Sequence, residues 1–233
     1  MSKHKAVYLM AGGRSSRGRG FDPVMQAVRQ EISVNQPTIA YVGVASGDDH
    51  GFFNMIGETL KKAIDCKLAM AAIAAKKANL NRAREVLSAA DAIFMSGGDV
   101  EAGMQVLAEK GLIEFLQQLF REGKLFFGAS AGSIMLAREW VRWKNPEDDT
   151  TAELFPCLGI ADVICDTHAE ADDWEELRAA LQLKSEGAVG FGIPTGSCLV
   201  VGPAESAKAL GGPVARYIRE NSRAKKMPDL GPD

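Results

Sequence analysis

The sequence is short of most features that would assign it at once. No stretch reaches the ~18 consecutive apolar residues of a membrane-spanning helix, so a membrane protein is not expected. Met1–Met10 starts basic, then reads as a short strand with no small-residue cleavage site behind it, so no signal peptide is expected. There is no basic excess. Lys and Arg number 27 against 30 Asp and Glu, a net charge of -3, which argues against a general nucleic-acid binder. Arg14, Arg17 and Arg19, set among glycines and serines, are the one local exception, read as a solvated loop or a carboxylate-binding fork. The four cysteines, Cys66, Cys157, Cys165 and Cys198, form no CxxC pair and read as buried, reduced thiols of a cytoplasmic protein. A Walker A loop is missing, and Gly12-Gly13 does not complete GxGxxG. No internal repeat or linker divides the chain. One domain is expected over residues 1–223, with a frayed tail from Ala224 to Asp233.

The 233 residues are 46% hydrophobic and 24% charged, an ordinary globular mix, and enough chain to bury a core without disulfide or metal. Short apolar runs alternate with helical patterns. Strands are expected at Ala6–Met10, Thr38–Ala45, Lys67–Ile73, Ala92–Met95, Lys124–Phe127 and Ala161–Cys165. Helices are expected at Phe21–Ser33, Phe52–Ile64, Leu80–Ala89, Val100–Glu109, Leu112–Glu122, Ser133–Arg138 and Asp172–Leu183. Pro146–Pro156 reads as a loop, Val189–Ile193 and Cys198–Val201 as a strand pair, and Pro213–Ser222 as a last short helix. This alternation predicts an α/β fold, a mostly parallel sheet with helices on both faces.

Several strands end in glycine: Gly12-Gly13, Gly47, Gly97-Gly98 and Gly128. In such sheets ligands bind beyond the carboxyl ends of the strands, so these turns gather on one edge. Gly128-Ala129-Ser130-Ala131-Gly132 matches GxSxG directly after an apolar strand and before a helix. That setting suits a nucleophile elbow, where the serine sits at a sharp turn between small neighbours and near free backbone N–H groups. A bare GxSxG arises by chance in roughly one such chain in eight, so the flanking strand and helix carry the inference.

A nucleophilic serine needs a base. The chain offers His4, in the N-terminal fringe, His50, after the Thr38–Ala45 run, and His168, after the Ala161–Cys165 run. Position alone does not separate the last two. No histidine follows His168, which disfavours an ordinary α/β-hydrolase, where Ser, acid and His follow in that order.

Together these features resemble the peptidase S51 family, the aspartyl dipeptidases (peptidase E) and cyanophycinases, whose fold is similar to class I glutamine amidotransferases, a flavodoxin-like three-layer arrangement. The resemblance runs from about Ala6 to Val201. It rests on Gly12-Gly13, on Met95-Ser96-Gly97-Gly98-Asp99, on the Gly-x-Ser-Ala-Gly elbow, and on His168 at the family's spacing. It implies Ser130 as nucleophile, His168 as general base, and backbone N–H groups near Gly98 and at Ala131 as oxyanion hole. It implies a small peptide substrate, an Asp-containing dipeptide or a related peptide, and neither metal nor organic cofactor. His50 then becomes a supporting or surface residue. The sequence departs from the family at Thr195, where a Glu that orients the histidine often stands. Glu147, Asp148, Asp166 and Glu170 are the alternative acids, and loss of such an acid can cost about 10⁴-fold in rate.

Two rival readings follow, beside weaker metal candidates. The same fold could serve as a catalytically weakened or inactive binding or regulatory protein, or as a cysteine amidotransferase-like enzyme, although no cysteine sits at the elbow. Asp48-Asp49-His50 and the cluster Asp166, His168, Glu170, Asp172 and Asp173 are weak metal candidates, more simply read as a turn and as negative charge leading into a helix N-terminus. Trp140 and Trp143 read as packing or pocket-wall residues, and an exposed sheet edge or helix face leaves room for a homodimer.

Overall fold

The computed structural model describes residues 5–12, 22–145, 147–203 and 206–232. In chain order the elements are β1 (Val7–Met10), α1 (Asp22–Gln30), β2 (Thr38–Val42), α2 (His50–Ile64), β3 (Lys67–Met70), α3 (Leu80–Ala89), β4 (Ala92–Met95), α4 (Val100–Glu109), α5 (Ile113–Arg121), β5 (Leu125–Ala129) and α6 (Ala131–Leu136). They continue with β6 (Glu139–Trp143), β7 (Ala152–Pro156), β8 (Ile164–Thr167), α7 (Glu175–Gln182), β9 (Val189–Ile193), β10 (Cys198–Val201), β11 (Ala207–Leu210), β12 (Val214–Glu220) and β13 (Arg223–Leu230). None of the helices among the described residues is long and apolar enough to cross a membrane.

A seven-stranded sheet runs in the order β11-β10-β1-β5-β4-β2-β3. The five strands β1, β5, β4, β2 and β3 pair in parallel, and β10 and β11 add an antiparallel edge. Both faces are covered, which explains the unbroken apolar runs. Val7, Leu9, Ala40, Val42, Ile93, Met95 and Phe126 pack on one face against α3, α4, α5 and α6. Tyr8, Met10, Ile39, Tyr41, Phe94, Leu125 and Phe127 pack on the other against α1 and α2. Each large side chain so buried stabilises by about 1.5–3 kcal/mol.

The rest of the fold differs from the sequence expectation. Val189–Ile193 and Cys198–Val201 are strands but not a pair. β10 joins the large sheet beside β1, whereas β9 lies in a second sheet ordered β13-β12-β9-β8. Pro213–Ser222 is no helix. Val214, Tyr217 and Ile218 mimic helical spacing, yet β12 is hydrogen-bonded on both sides, to β9 and β13, and tertiary pairing overrides local pattern. The expected frayed tail at 224–233 is corrected likewise: residues 223–230 form β13. Its lysines and Pro228 hid it, but both residue types belong on edge strands, where Pro228 needs no ladder partner. Within the expected loop Pro146–Pro156, Ala152–Pro156 is β7, paired with β6 in a two-stranded sheet.

A third apolar cluster, with Val141, Ile164, Trp174, Leu177, Leu181, Ala215 and Tyr217, joins α7 to this second sheet and to β6. Ending the chain after Ser222 removes β13 and bares the β12 edge. We expect a loss of at least about 1 kcal/mol, a fall in melting temperature of about 2–4 °C, measured by circular dichroism; an unchanged melting temperature would mean that the tail contributes nothing.

Candidate functional site

The parallel strands β1, β4 and β5 end side by side, in register from Met10 to Ala129 and from Met95 to Gly128. Beyond β5 the chain turns sharply into α6 through Ser130, whose backbone sits at φ 55° and ψ −129°. A side chain strongly disfavours that region, at a cost of order 1–3 kcal/mol. The turn is pinned by the Met10 carbonyl, which accepts from the Ser130 N–H at 2.9 Å and from the Ser133 hydroxyl at 2.8 Å. Gly132 is required by space, since a Cβ there would run into the Met95 carbonyl. Gly98, at φ 142°, would likewise strike the Ala45 carbonyl. Among the described residues neither the Gly98 nor the Ala131 N–H donates to a backbone carbonyl, and both residues line the cleft over Ser130.

His168 arrives from the second sheet. It follows β8 at φ 46°, and its N–H donates to the Ile193 carbonyl at 2.9 Å, which extends the β8–β9 ladder. Its Nε2 lies 2.7 Å from Ser130 Oγ, across 38 residues of chain. His50 instead opens α2, exposed and away from this cleft. His4, Arg14, Arg17 and Arg19, with Gly13, fall outside the described residues.

The cleft has a volume of about 320 Å³ and is lined by Ser130, His168, Gly98, Trp140, Asp166 and Glu176, among others. Of the candidate orienting acids, Asp166 alone lines it. Asp148 caps the turn between β6 and β7 through Thr150, and the Glu147 N–H donates to Asn145 Oδ1 in the same turn. Glu170 accepts from the Thr195 N–H at 2.6 Å, so a carboxylate reaches position 195 from a different segment. Among the described residues no carboxylate hydrogen-bonds His168.

Asp166 is 3% exposed. Its Oδ1 accepts from the Thr167 N–H at 2.7 Å, while its buried Oδ2 has no hydrogen-bond partner. Burial pushes its carboxyl up to about 6, with the Thr167 N–H acting the other way and the nearby Asp172 charge adding to the rise. Glu176, in the first turn of α7, is pushed up to about 7 by burial and then by the Asp166 charge, with the Trp140 indole acting the other way. Sequence reasoning missed Glu176, because only the docking of α7 on β8 brings it beside Asp166. Trp140 is a wall of this cleft; Trp143 lines a separate groove beside α7.

The remaining candidates are structural. Asp49 caps α2 through the Phe52 N–H, and Asp48 accepts from the Ile73 and Ala74 N–H groups. Asp172 accepts from the Trp174 N–H, and Asp173 pairs with Arg178 and Tyr217. No group of three or more metal-ligating side chains among the described residues could hold a metal ion. The cysteines are free, and burial pushes the Cys157 thiol up to about 12 and the Cys165 and Cys198 thiols upward too, which makes poor nucleophiles.

The sequence model of Peptidase family S51 matches residues 7–206. The chain belongs to peptidase family S51. Among solved structures this S51 member is similar to a peptidase from an acI-B1 Actinobacterium, with TM-score 0.73 and 15% identity over 96% of this chain and 94% of that one. It is also similar to a protein assigned as peptidase E from Listeria monocytogenes EGD-e, with TM-score 0.63 and 16% identity over 88% and 98%. At those identities the likeness is one of fold. It is 30% identical over 100 residues to the pyridoxal 5'-phosphate synthase subunit PdxT of Anoxybacillus flavithermus, covering 43% of this chain and 47% of that protein. The PdxT of Geobacillus thermodenitrificans is 28% identical over 103 residues, 44% and 48%. The chain spans about half the length of these curated relatives, a match that fits a glutamine amidotransferase-like fold.

Two stability measurements follow. Ser130→Gly relieves the disfavoured backbone whereas Ser130→Ala keeps it, so the glycine variant is expected to be more stable than the alanine variant by about 1–2 kcal/mol in urea unfolding. The raised Asp166 and Glu176 carboxyls hold protons that the unfolded chain releases near pH 4. Their stabilisation is therefore full below about pH 4 and lost as pH rises through 6 to 7. The urea midpoint of the natural chain should fall more between pH 5 and pH 8 than that of Asp166→Asn/Glu176→Gln; parallel falls would refute the assignment.

Proposed function

We propose that this S51 member is a serine-type peptidase acting on a small peptide through an acyl-enzyme. The observation that carries the reading is the 2.7 Å contact between Ser130 Oγ, on its disfavoured turn, and His168 Nε2 at a cleft. Ser130 Oγ attacks the peptide carbonyl carbon as His168 Nε2 takes the hydroxyl proton. The carbonyl oxygen becomes an oxyanion that the N–H groups of Gly98 and Ala131 stabilise as hydrogen-bond donors. Collapse breaks the C–N bond, and His168 returns the proton to the leaving amine. Water then adds to the ester with His168 as base; collapse of the adduct breaks the C–O bond to Ser130 Oγ, His168 returns the proton to Oγ, and the acid product departs. The Asp-containing substrate that the family resemblance implies belongs to the same reading.

A second reading, a weakened or inactive binding protein, is favoured by one observation: no described carboxylate hydrogen-bonds His168, and Thr195 stands where the family often has Glu. A fluorophosphonate separates the two. The catalytic reading predicts one covalent adduct by intact mass on the natural chain and none on Ser130→Ala. It also predicts labelling of His168→Gln slowed by about 10²–10⁴-fold. Folded protein without adduct would favour the binding protein.

A further inference from the structure

The segment that carries His168 is not held by burial. Beyond β8, His168 and residues 170–173 are exposed and Ala169 is half-buried. The backbone there is also strained. His168, Asp173 and Trp174 stand at φ 46°, 54° and 60°, a left-handed region that side chains disfavour. Such a loop keeps a histidine 2.7 Å from Ser130 Oγ only where other contacts over-determine it.

Three contacts do so, and all reach residues 192–195, at the end of β9 and the turn beyond it. The His168 N–H donates to the Ile193 carbonyl at 2.9 Å. Glu170 Oε1 accepts from the Thr195 N–H at 2.6 Å. Trp174, buried, closes the loop with its ring against Gly192, where a Cβ would strike it. The first contact extends the β8–β9 ladder, and Trp174 belongs to the third apolar cluster. The Glu170 bond belongs to no ladder and no apolar cluster. It is made by an exposed side chain two residues past His168. A carboxylate that accepts from a backbone N–H makes a charge-assisted bond, shorter and stronger than a neutral one.

We propose that Glu170 is a positioning residue for His168: by gripping the Thr195 N–H it locks the exposed loop, so that Nε2 stays within reach of Ser130 Oγ. It acts through the backbone, since among the described residues no carboxylate hydrogen-bonds His168. Position 195 thus contributes its N–H rather than a side-chain carboxylate. The inference rests on the peptidase reading for what His168 does, and on geometry alone for where it stands. The donor can be deleted without disturbing its turn. The Ser197 N–H donates to the Pro194 carbonyl at 2.9 Å and Gly196 stands at φ 81°, the pattern of a type II turn with Thr195 second. Proline is favoured at that place, so Thr195→Pro removes the N–H and suits the turn.

The test measures fluorophosphonate labelling of the full chain, with kinact and KI separated, in Glu170→Ala, Glu170→Gln, Thr195→Pro and Glu170→Ala/Thr195→Pro. In Glu170→Ala and in Thr195→Pro, kinact should fall about tenfold or more, as a small misplacement of a reacting group implies, with KI and the melting temperature little changed. Glu170→Gln keeps an acceptor oxygen and should label within about threefold of the natural chain. The double variant should be no slower than the slower single one, because both changes remove the same bond. Labelling of Glu170→Ala at the natural rate would overturn the inference and leave the peptidase reading standing. So would a Glu170→Gln as slow as Glu170→Ala, since charge rather than the bond would then matter. If the natural chain takes no adduct, the peptidase reading fails, and the imidazole signals of His168 in NMR test the positioning alone, with the exposed His50 as reference. They should stand apart from those of His50 in the natural chain and in Glu170→Gln, and move towards them in Glu170→Ala. Signals unmoved by Glu170→Ala would sink the inference.

Discussion

The geometry of the site depends on the Met10 carbonyl, which holds both the Ser130 N–H and the Ser133 hydroxyl. Those two bonds carry the chain from the end of β5 into α6 through a conformation that serine would otherwise avoid. Neighbouring strands must end at the same level for the turn to close, and the register of β1 and β4 against β5 ensures it. The absence of a side chain at Gly132 then lets α6 begin directly beneath the Met95 carbonyl. The strain, of order 1–3 kcal/mol, is small against two apolar clusters that fill both faces of the sheet.

The partner of Ser130 comes from a separate layer. His168 stands at the end of β8, in a sheet that shares no ladder with the large one. Its position relative to Ser130 therefore rests on packing. Cys165 on β8 belongs to the same apolar cluster as Ala131, Ile134 and Met135 of α6, and the third cluster ties α7 to β8, β9, β12 and β6. The Arg142–Glu153 ion pair ties β6 to β7, the Arg142–Glu101 pair links the hairpin to α4, and the Lys184–Glu139 pair links β6 to the segment just after α7. The Arg142 pairs are partly exposed and contribute little by themselves, so the apolar contacts set the distance across the cleft.

The same packing explains why the cleft is acidic. Docking α7 on β8 buries Asp166 and turns Glu176 towards it, so two carboxyls share one desolvated wall. Glu170, two residues beyond His168, is held instead by the Thr195 N–H. A carboxylate thus stands near position 195 although the residue there is threonine.

Much of the large sheet was legible in the sequence. Fully buried parallel strands read as unbroken apolar runs, and their glycine-terminated ends marked the edge where Ser130 lies. The sharp turn at Ser130 between β5 and α6 was legible too, because small residues in that spacing follow from local steric demand. The second sheet was not. β12 imitates a helix, β13 is rich in lysine with a proline, and β7 follows a turn-forming stretch, so each becomes a strand only when its neighbours pair with it. His168 and His50 were equivalent by position until β8 paired with β9. The sequence by itself determined the tight turn at Ser130 and the strand ends, which depend on residue size and local backbone freedom. Only the tertiary structure decided which histidine meets Ser130 and which carboxyls line the cleft, because both depend on packing between segments far apart in the chain.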